Sequence, residues 1–182
     1  MDHLDDNKIL NDIQHGFRQK RSCETQLITT IHDFSQTLNI KGQTDAILLD
    51  FSKAFDKVDN QGLILKLKNY GIQDNLLNWT RSFLIGRFQK VIVDGIESES
   101  TLVKSGVPQG TVLGPLFFLI YINDINQNIS KKTKMRLFAD DSLVYREIKT
   151  LKDSEALLKD LDSLQKWNKK LGKWNFTQIN VK

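Results

Sequence analysis

Met135-Arg136-Leu137-Phe138-Ala139-Asp140-Asp141-Ser142-Leu143-Val144-Tyr145 is the most informative stretch of this chain. Apolar residues stand on both sides of Asp140-Asp141, so the segment reads as a β-hairpin with two carboxylates at its tip. Taken alone, an Asp-Asp pair in a hairpin is usually turn chemistry, because aspartate bonds readily to its own backbone. Asp5-Asp6 illustrates this: it sits in a polar terminus and needs no function.

A third carboxylate changes the reading. The short apolar run Ala46-Ile47-Leu48-Leu49 has the character of a buried strand and ends at Asp50. If this strand lies beside the hairpin, Asp50, Asp140 and Asp141 converge at one sheet edge. Carboxylates so close repel one another unless cations neutralise them. Magnesium is a hard ion that suits carboxylate oxygens and keeps positions open for phosphates. Two such ions, roughly 3.5–4 Å apart, activate a 3′-hydroxyl and stabilise a leaving pyrophosphate oxygen. The chemistry to expect is nucleotidyl transfer.

Four helical patterns surround these strands. Leu27, Ile31, Phe34 and Leu38 repeat at helical spacing, with Ser22 as a cap and Gly42 beyond the end. Leu63, Ile64 and Leu67 form the apolar side of a second helix that follows Asn60 and stops at Gly71. A third follows Asp74 and ends near Gly86. The last carries Leu157, Leu161, Leu164 and Trp167 on one face, behind a capping box formed by Thr150 and Asp153. Phe88 to Val93 is rich in β-formers, and Asp94-Gly95 reads as a hairpin turn. Helices and strands mix without strict βαβ alternation. The expected class is therefore α+β, with helices on one face of a small, mainly antiparallel sheet.

Composition narrows the options. At 182 residues, with 40% hydrophobic and 26% charged, the chain can bury a core and has a globular balance. The net charge of +4 is a mild lean toward anionic partners. The single cysteine, Cys23, rules out an internal disulfide, and the start MDHLDDNKIL is not a signal peptide. An intracellular location is the expectation. His3, His15 and His32 do not cluster, which argues against zinc. The longest apolar stretch, Val112 to Ile122, is too short for a membrane span of roughly 20 residues.

The loop Lys104-Ser105-Gly106-Val107-Pro108-Gln109-Gly110-Thr111 combines two glycines, a proline and an amide ahead of an apolar helix. Glycine permits close backbone approach there, and Gln109 could touch a base or sugar. Alone, the loop is an ordinary entry into a helix.

The order of these pieces is more specific than any one of them. Leu49-Asp50-Phe51-Ser52-Lys53-Ala54-Phe55-Asp56-Lys57-Val58 resembles motif A of reverse transcriptases. The run from Ser105 to Ile125 resembles motif B, and Phe138-Ala139-Asp140-Asp141 resembles motif C in the form found in non-LTR retrotransposons. Upstream, Gln14-His15-Gly16-Phe17-Arg18, with Arg21-Ser22-Cys23, resembles the segment that precedes motif A. The resemblance covers roughly Gln14 to Trp167.

That resemblance implies a polymerase palm with partial fingers: residues 1–45 as fingers, 46–150 as palm, and 151–182 as an incomplete motif D region. It implies catalytic roles for Asp50, Asp140 and Asp141. The Asp50 and Asp140 carboxylates and the Phe51 backbone carbonyl would hold two Mg²⁺ ions, with Mn²⁺ as an alternative. Phe55 matches the steric gate that excludes a 2′-hydroxyl. Gln109 and Gly110 match positions beside the incoming nucleotide. Arg18, Lys20 and Arg21 are candidates for phosphate contact, and Lys131, Lys132 and Lys134 form a second basic run. The implied partners are an RNA template, a DNA primer and deoxynucleoside triphosphates, with no membrane.

The sequence also departs from the family pattern. Earlier fingers motifs have no match before Gln14, and the thumb and endonuclease regions of a parent polyprotein are missing. Asn180-Val181-Lys182 resembles the start of the region after motif D at a stretched spacing, so the motif D lysine is unassigned. The chain is thus expected to be a piece of a larger element. Two alternatives compete with polymerisation of DNA. One is a catalytically inactive remnant that binds nucleic acid or protein. The other is an RNA-dependent RNA polymerase, which Phe55 and the Phe-Ala-Asp-Asp box argue against.

Overall fold

The computed structural model describes residues 2–171 and 176–181 of the chain. In chain order the elements are α1 (Asp2–Asp6), α2 (Cys23–Asn39), β1 (Gln43–Phe51), α3 (Asn60–Asn69), α4 (Asp74–Leu84), β2 (Phe88–Gln89), β3 (Ile92–Val93), β4 (Ile96–Glu97), β5 (Thr101–Leu102), α5 (Leu113–Ile122), β6 (Lys134–Phe138), β7 (Asp141–Ile148), α6 (Leu151–Leu171) and β8 (Phe176–Val181). They form two compact units. The first comprises Met1–Ala54 with Ile122–Lys182, and the second Phe55–Tyr121.

The first unit is built on a four-stranded antiparallel sheet in the order β6-β7-β1-β8. Alternation sets its faces. Along β1, Ile47, Leu49 and Phe51 are buried, whereas Leu48 and Asp50 are exposed. The core on the buried side includes Met135, Leu137 and Val144 of the hairpin and Leu157 and Leu164 of α6. β8 adds a fourth strand beside β1, with Leu49 opposite Gln178 and Asp50 opposite Thr177. Asn180 and Val181 belong to β8, and Lys182 lies outside the described residues.

Helices flank this sheet on both faces rather than one. Successive residues of β7 point to opposite sides. Tyr145 meets Phe34 of α2 edge-on at 5.1 Å, while Arg146 pairs with Asp153 of α6 at 3.1 Å. The expected apolar face of α2 is also corrected. Phe34 packs on Tyr145, but Leu27, Ile31 and Leu38 are 57%, 58% and 69% exposed. The helix docks instead through charge: Asp33 accepts bonds from Lys134 Nζ (2.5 Å), Arg136 Nη2 (3.0 Å) and the Tyr145 hydroxyl. Burial pushes the Asp33 carboxyl up, but those three donors outweigh it and hold the group below the usual carboxylate range. The Tyr145 hydroxyl is pushed up to about 12 by burial and by its bond to Asp33.

Local signals produced the ends of these elements. Ser22 caps α2, its Oγ accepting from the Thr25 amide while Thr25 Oγ1 accepts from the Ser22 amide. Asp153 Oδ2 accepts from both the amide and the hydroxyl of Thr150 at the start of α6.

In the second unit, Asp59 caps α3 by accepting from the Gly62 amide at 2.6 Å, and α3 buries Leu63, Ile64 and Leu67. α5 is apolar on every side and buries Phe117 through Ile120. The segment from Phe88 to Val93 is not one strand. It breaks at Lys90-Val91 into β2, paired with β5, and β3, paired with β4. Asp94 (φ 50°) and Gly95 (φ 79°) turn β3 into β4, both left-handed, as a two-residue hairpin of the I′ kind requires.

Candidate active site

The three aspartates belong to the first unit, and its sheet assembles them. The last registered pair of β1 and β7 is Leu49 with Ser142, so the next step places Asp50 opposite Asp141. Asp140 occupies the turn between β6 and β7. Asp50 and Asp141 are exposed, and Asp140 is half-buried. Burial raises the Asp140 carboxyl above the ordinary range, and the negative charges of Asp141 and Asp50 raise it further. Asp140 therefore senses both of the other carboxylates. Phe51 closes β1 next to Asp50 with its side chain buried.

The donor set is all hard oxygen, and like charges crowd Asp140, so the group suits a hard divalent cation. Among the described residues, no three His, Cys, Asp or Glu side chains stand close enough to hold a metal by themselves. Ligation here would need oxygens besides carboxylates, such as the Phe51 carbonyl, water or a substrate phosphate.

The turn that carries Asp140 is held from behind by Gln14, a role the sequence did not reveal. Gln14 is 4% exposed. Its Nε2 donates to the Ala139 carbonyl at 3.1 Å, and its Oε1 accepts from the Ala139 amide at 2.9 Å and the Gly16 amide at 2.7 Å. Backbone bonds between Ile13, His15 and Leu137 fasten the same loop to β6. Ala139 itself is left-handed, at φ 55°. Gly16 makes the close approach possible: a Cβ there would lie 2.2 Å from the Ala139 nitrogen. The one available signal was the Gln-x-Gly spacing near the start of the chain, which by itself gives no partner.

Arg18 and Arg21 are drawn into this loop. Arg18 Nη1 donates to the carbonyls of Leu10 and Asn11. Arg21 donates to the carbonyls of Asp12 and Gln14 and pairs with the Asp12 carboxylate at 2.6 Å. Both guanidinium groups thus bind the chain's own backbone, and Lys20 is the exposed member of the set.

The second unit holds the other candidates. Phe55 stacks on Phe118 with ring centroids 4.6 Å apart, and its carbonyl accepts from the Val107 amide. Gln109 is exposed and donates through Nε2 to Asp56 Oδ1 at 2.8 Å. Ser105 Oγ donates to the Asp56 carbonyl, and a Cβ on Gly106 would meet the Asp56 backbone at 2.8 Å. Asp56 thus anchors the glycine loop, another role missed in the sequence. Gly110 is left-handed at φ 76°, with open space where a side chain would project.

Residues 1–179 match the family described as reverse transcriptase (RNA-dependent DNA polymerase). The chain is 31% identical over 157 residues to a probable RNA-directed DNA polymerase from transposon BS of Drosophila melanogaster, covering 79% of this chain and 17% of that protein. It is 35% identical over 116 residues to the RNA-directed DNA polymerase from mobile element jockey of Drosophila funebris, covering 63% of this chain and 13% of the relative. The chain thus spans less than a fifth of the length of either relative. Among solved structures, telomerase from Candida albicans in complex with a fragment of telomeric RNA superposes with a TM-score of 0.70 at 11% identity, over 99% of this chain and 33% of that one. Apo telomerase from Candida tropicalis, truncated from its C-terminal domain, gives a TM-score of 0.61 at 15% identity, over 88% of this chain and 36% of that one. On the family match across nearly its whole length, the chain belongs to the reverse transcriptase family.

Proposed function

We propose that this chain carries the nucleotidyl-transfer centre of an RNA-templated DNA polymerase of the LINE type. The observation that carries the reading is the meeting of Asp50, Asp140 and Asp141 at one end of the β6-β7-β1 sheet, with Asp140 under the charge of both others. Asp50, Asp140 and the Phe51 carbonyl would hold the divalent ions, Mg²⁺ or Mn²⁺. Such ions, when bound, activate a primer 3′-hydroxyl and neutralise charge on the triphosphate. Asp141 would support the primer end or the ions. Gln109, steadied by Asp56, would contact the incoming deoxynucleotide, and Gly110 would leave room for it. Phe55, backed by Phe118, would bar a 2′-hydroxyl. Lys20 would be the phosphate contact of the amino-terminal loop, with Arg18 and Arg21 shaping that loop. Template, primer, the remaining regions of a parent polyprotein and an intracellular location belong to the same proposal.

The test is primer extension on an RNA template with deoxynucleotides and Mg²⁺, comparing the chain with its Asp140→Asn variant. Extension by the first and not the second supports the reading. Equal extension by both would overturn it.

A further inference from the structure

Arg87 stands in the second unit, between the end of α4 and the start of β2. Its carbonyl accepts from the Val103 amide, one step beyond the Phe88–Leu102 pair of β2 and β5. Its side chain is half-buried and bonds main chain on two sides. Nε donates to the Leu84 carbonyl at 3.0 Å, and Nη2 donates to the Gly106 carbonyl at 2.8 Å. One planar fork thus joins the last residue of α4 to the glycine loop ahead of α5.

The two carbonyls differ in how much they depend on Arg87. Leu84 O also accepts from Asn60 Nδ2 at 3.2 Å. Gly106 is buried, and its carbonyl has no other hydrogen bond among the described residues. Burial lowers the Arg87 pKa, and the side chain makes no ion pair among the described residues. Its charge is therefore not spent on a carboxylate. Charge-assisted bonds of this kind are stronger than neutral ones, so the Gly106 carbonyl is firmly held.

Gly106 is also the point where the loop is fixed from its other side. It is left-handed, at φ 91°. Its amide donates to the Val58 carbonyl, and the next amide, of Val107, donates to the Phe55 carbonyl. The base of the loop is thus gripped by the Phe55–Val58 segment and by Arg87. Gln109 and Gly110 follow three and four residues later, both exposed. Their placement depends on the peptide planes at Gly106 and Val107.

We propose that Arg87 is a positioning residue for the incoming nucleotide, fixing the Gly106 carbonyl and so setting where Gln109 and Gly110 stand. The inference rests on the reading of those two residues as nucleotide contacts. Arg87 acts through them and touches no substrate.

The experiment is steady-state primer extension on the RNA template at varied deoxynucleotide concentration. It compares the parent with Arg87→Met, Arg87→Lys, Gln109→Ala and the double variant Arg87→Met, Gln109→Ala. Arg87→Met should raise KM for the deoxynucleotide about tenfold with kcat changed much less, the pattern of lost binding rather than lost chemistry. In the Gln109→Ala background the same change should add little, because residues acting through one another are not additive. Arg87→Lys keeps the charge without the fork and should move KM the same way by a smaller factor. Hydrogen exchange over residues 105–111 reads the loop without turnover. Exchange there should be faster in Arg87→Met, and thymidine triphosphate with Mg²⁺ should slow it at a lower concentration in the parent than in the variant. Fully additive effects of the two substitutions on KM would overturn the proposal, as would parent-like loop exchange in Arg87→Met or a fall in kcat alone. Loop exchange that the triphosphate leaves unchanged in the parent would overturn it too. Extension that needs Asp140 but ignores Arg87 would overturn this inference and leave the polymerase reading standing, so the two failures are distinct.

Discussion

The side-chain amide of Gln14 bonds both backbone polar groups of Ala139, donating to its carbonyl at 3.1 Å and accepting from its amide at 2.9 Å. Ala139 is the residue before the Asp140 carboxylate, and it is held left-handed at φ 55°. A buried loop amide thus fixes the turn from which Asp140 projects. Gln14→Leu should leave the Ala139 amide buried and unbonded, at a cost of about 1–3 kcal/mol for that group alone. Urea unfolding should show the loss, and primer extension should fall with it. Gln14→Glu keeps the acceptor but loses the donor to the Ala139 carbonyl and buries a carboxyl, so it should recover only part of the stability. A Leu variant as stable as the parent would remove Gln14 from this role.

Gly16→Ala is expected to act on the same turn by crowding. Its Cβ would sit 2.2 Å from the Ala139 nitrogen, so the loop or the hairpin tip must move. Overpacking of this kind costs about 1–3 kcal/mol. Thermal unfolding measures it, and extension should decline even at temperatures where the variant remains folded.

Asp140→Asn separates chemistry from folding. The Asp140 carboxyl is raised above its unfolded value by burial and by the charges of Asp141 and Asp50. For an acid shifted upward, stability falls as pH rises from the unfolded pKa through the folded one, and the penalty persists at neutral pH. The variant should therefore be at least as stable as the parent at pH 7 while extension is lost. A marked loss of stability at pH 7 would contradict this account.

Asp153 has the opposite sign. Its bonds from Arg146 and Thr150 hold its carboxyl at about 2, below the ordinary 3.8. The stability it contributes is present above the unfolded pKa and is lost as pH falls from about 4 towards 2. Asp153→Asn should have a flatter unfolding profile across that window. Identical acid profiles for parent and variant would show that the pairing adds nothing to stability.

Phe55→Val tests the proposed sugar gate. If the ring excludes a 2′-hydroxyl, the ratio of ribonucleotide to deoxynucleotide incorporation should rise about tenfold or more, equivalent to about 1.4 kcal/mol in relative barrier. The stack on Phe118 will also be lost, so Phe118→Leu serves as the control. A ratio that moves equally in both variants would assign Phe55 to packing alone.

The sequence by itself determined the features whose physics is local. The cap at Ser22, the bonds from Thr150 to Asp153 and the left-handed turn at Asp94-Gly95 all depend on neighbours a few residues away, whereas the alternation that exposes Leu48 within an apolar run was set by the sheet. The carboxylate hairpin was legible from its local pattern, and the order of the three motifs gave the family. Tertiary structure decided what depends on distant partners. The apolar spacing of α2 was real, but Asp33 docks the helix through Lys134, Arg136 and Tyr145, about a hundred positions on, so Leu27, Ile31 and Leu38 are exposed. Arg18 and Arg21 were legible as charges, but their partners are carbonyls of a folded loop. Gln14 was one polar residue in a polar stretch until folding buried it against Ala139, 125 positions away. Short-range preferences can be read along a chain, whereas burial and pairing arise only once the chain closes on itself.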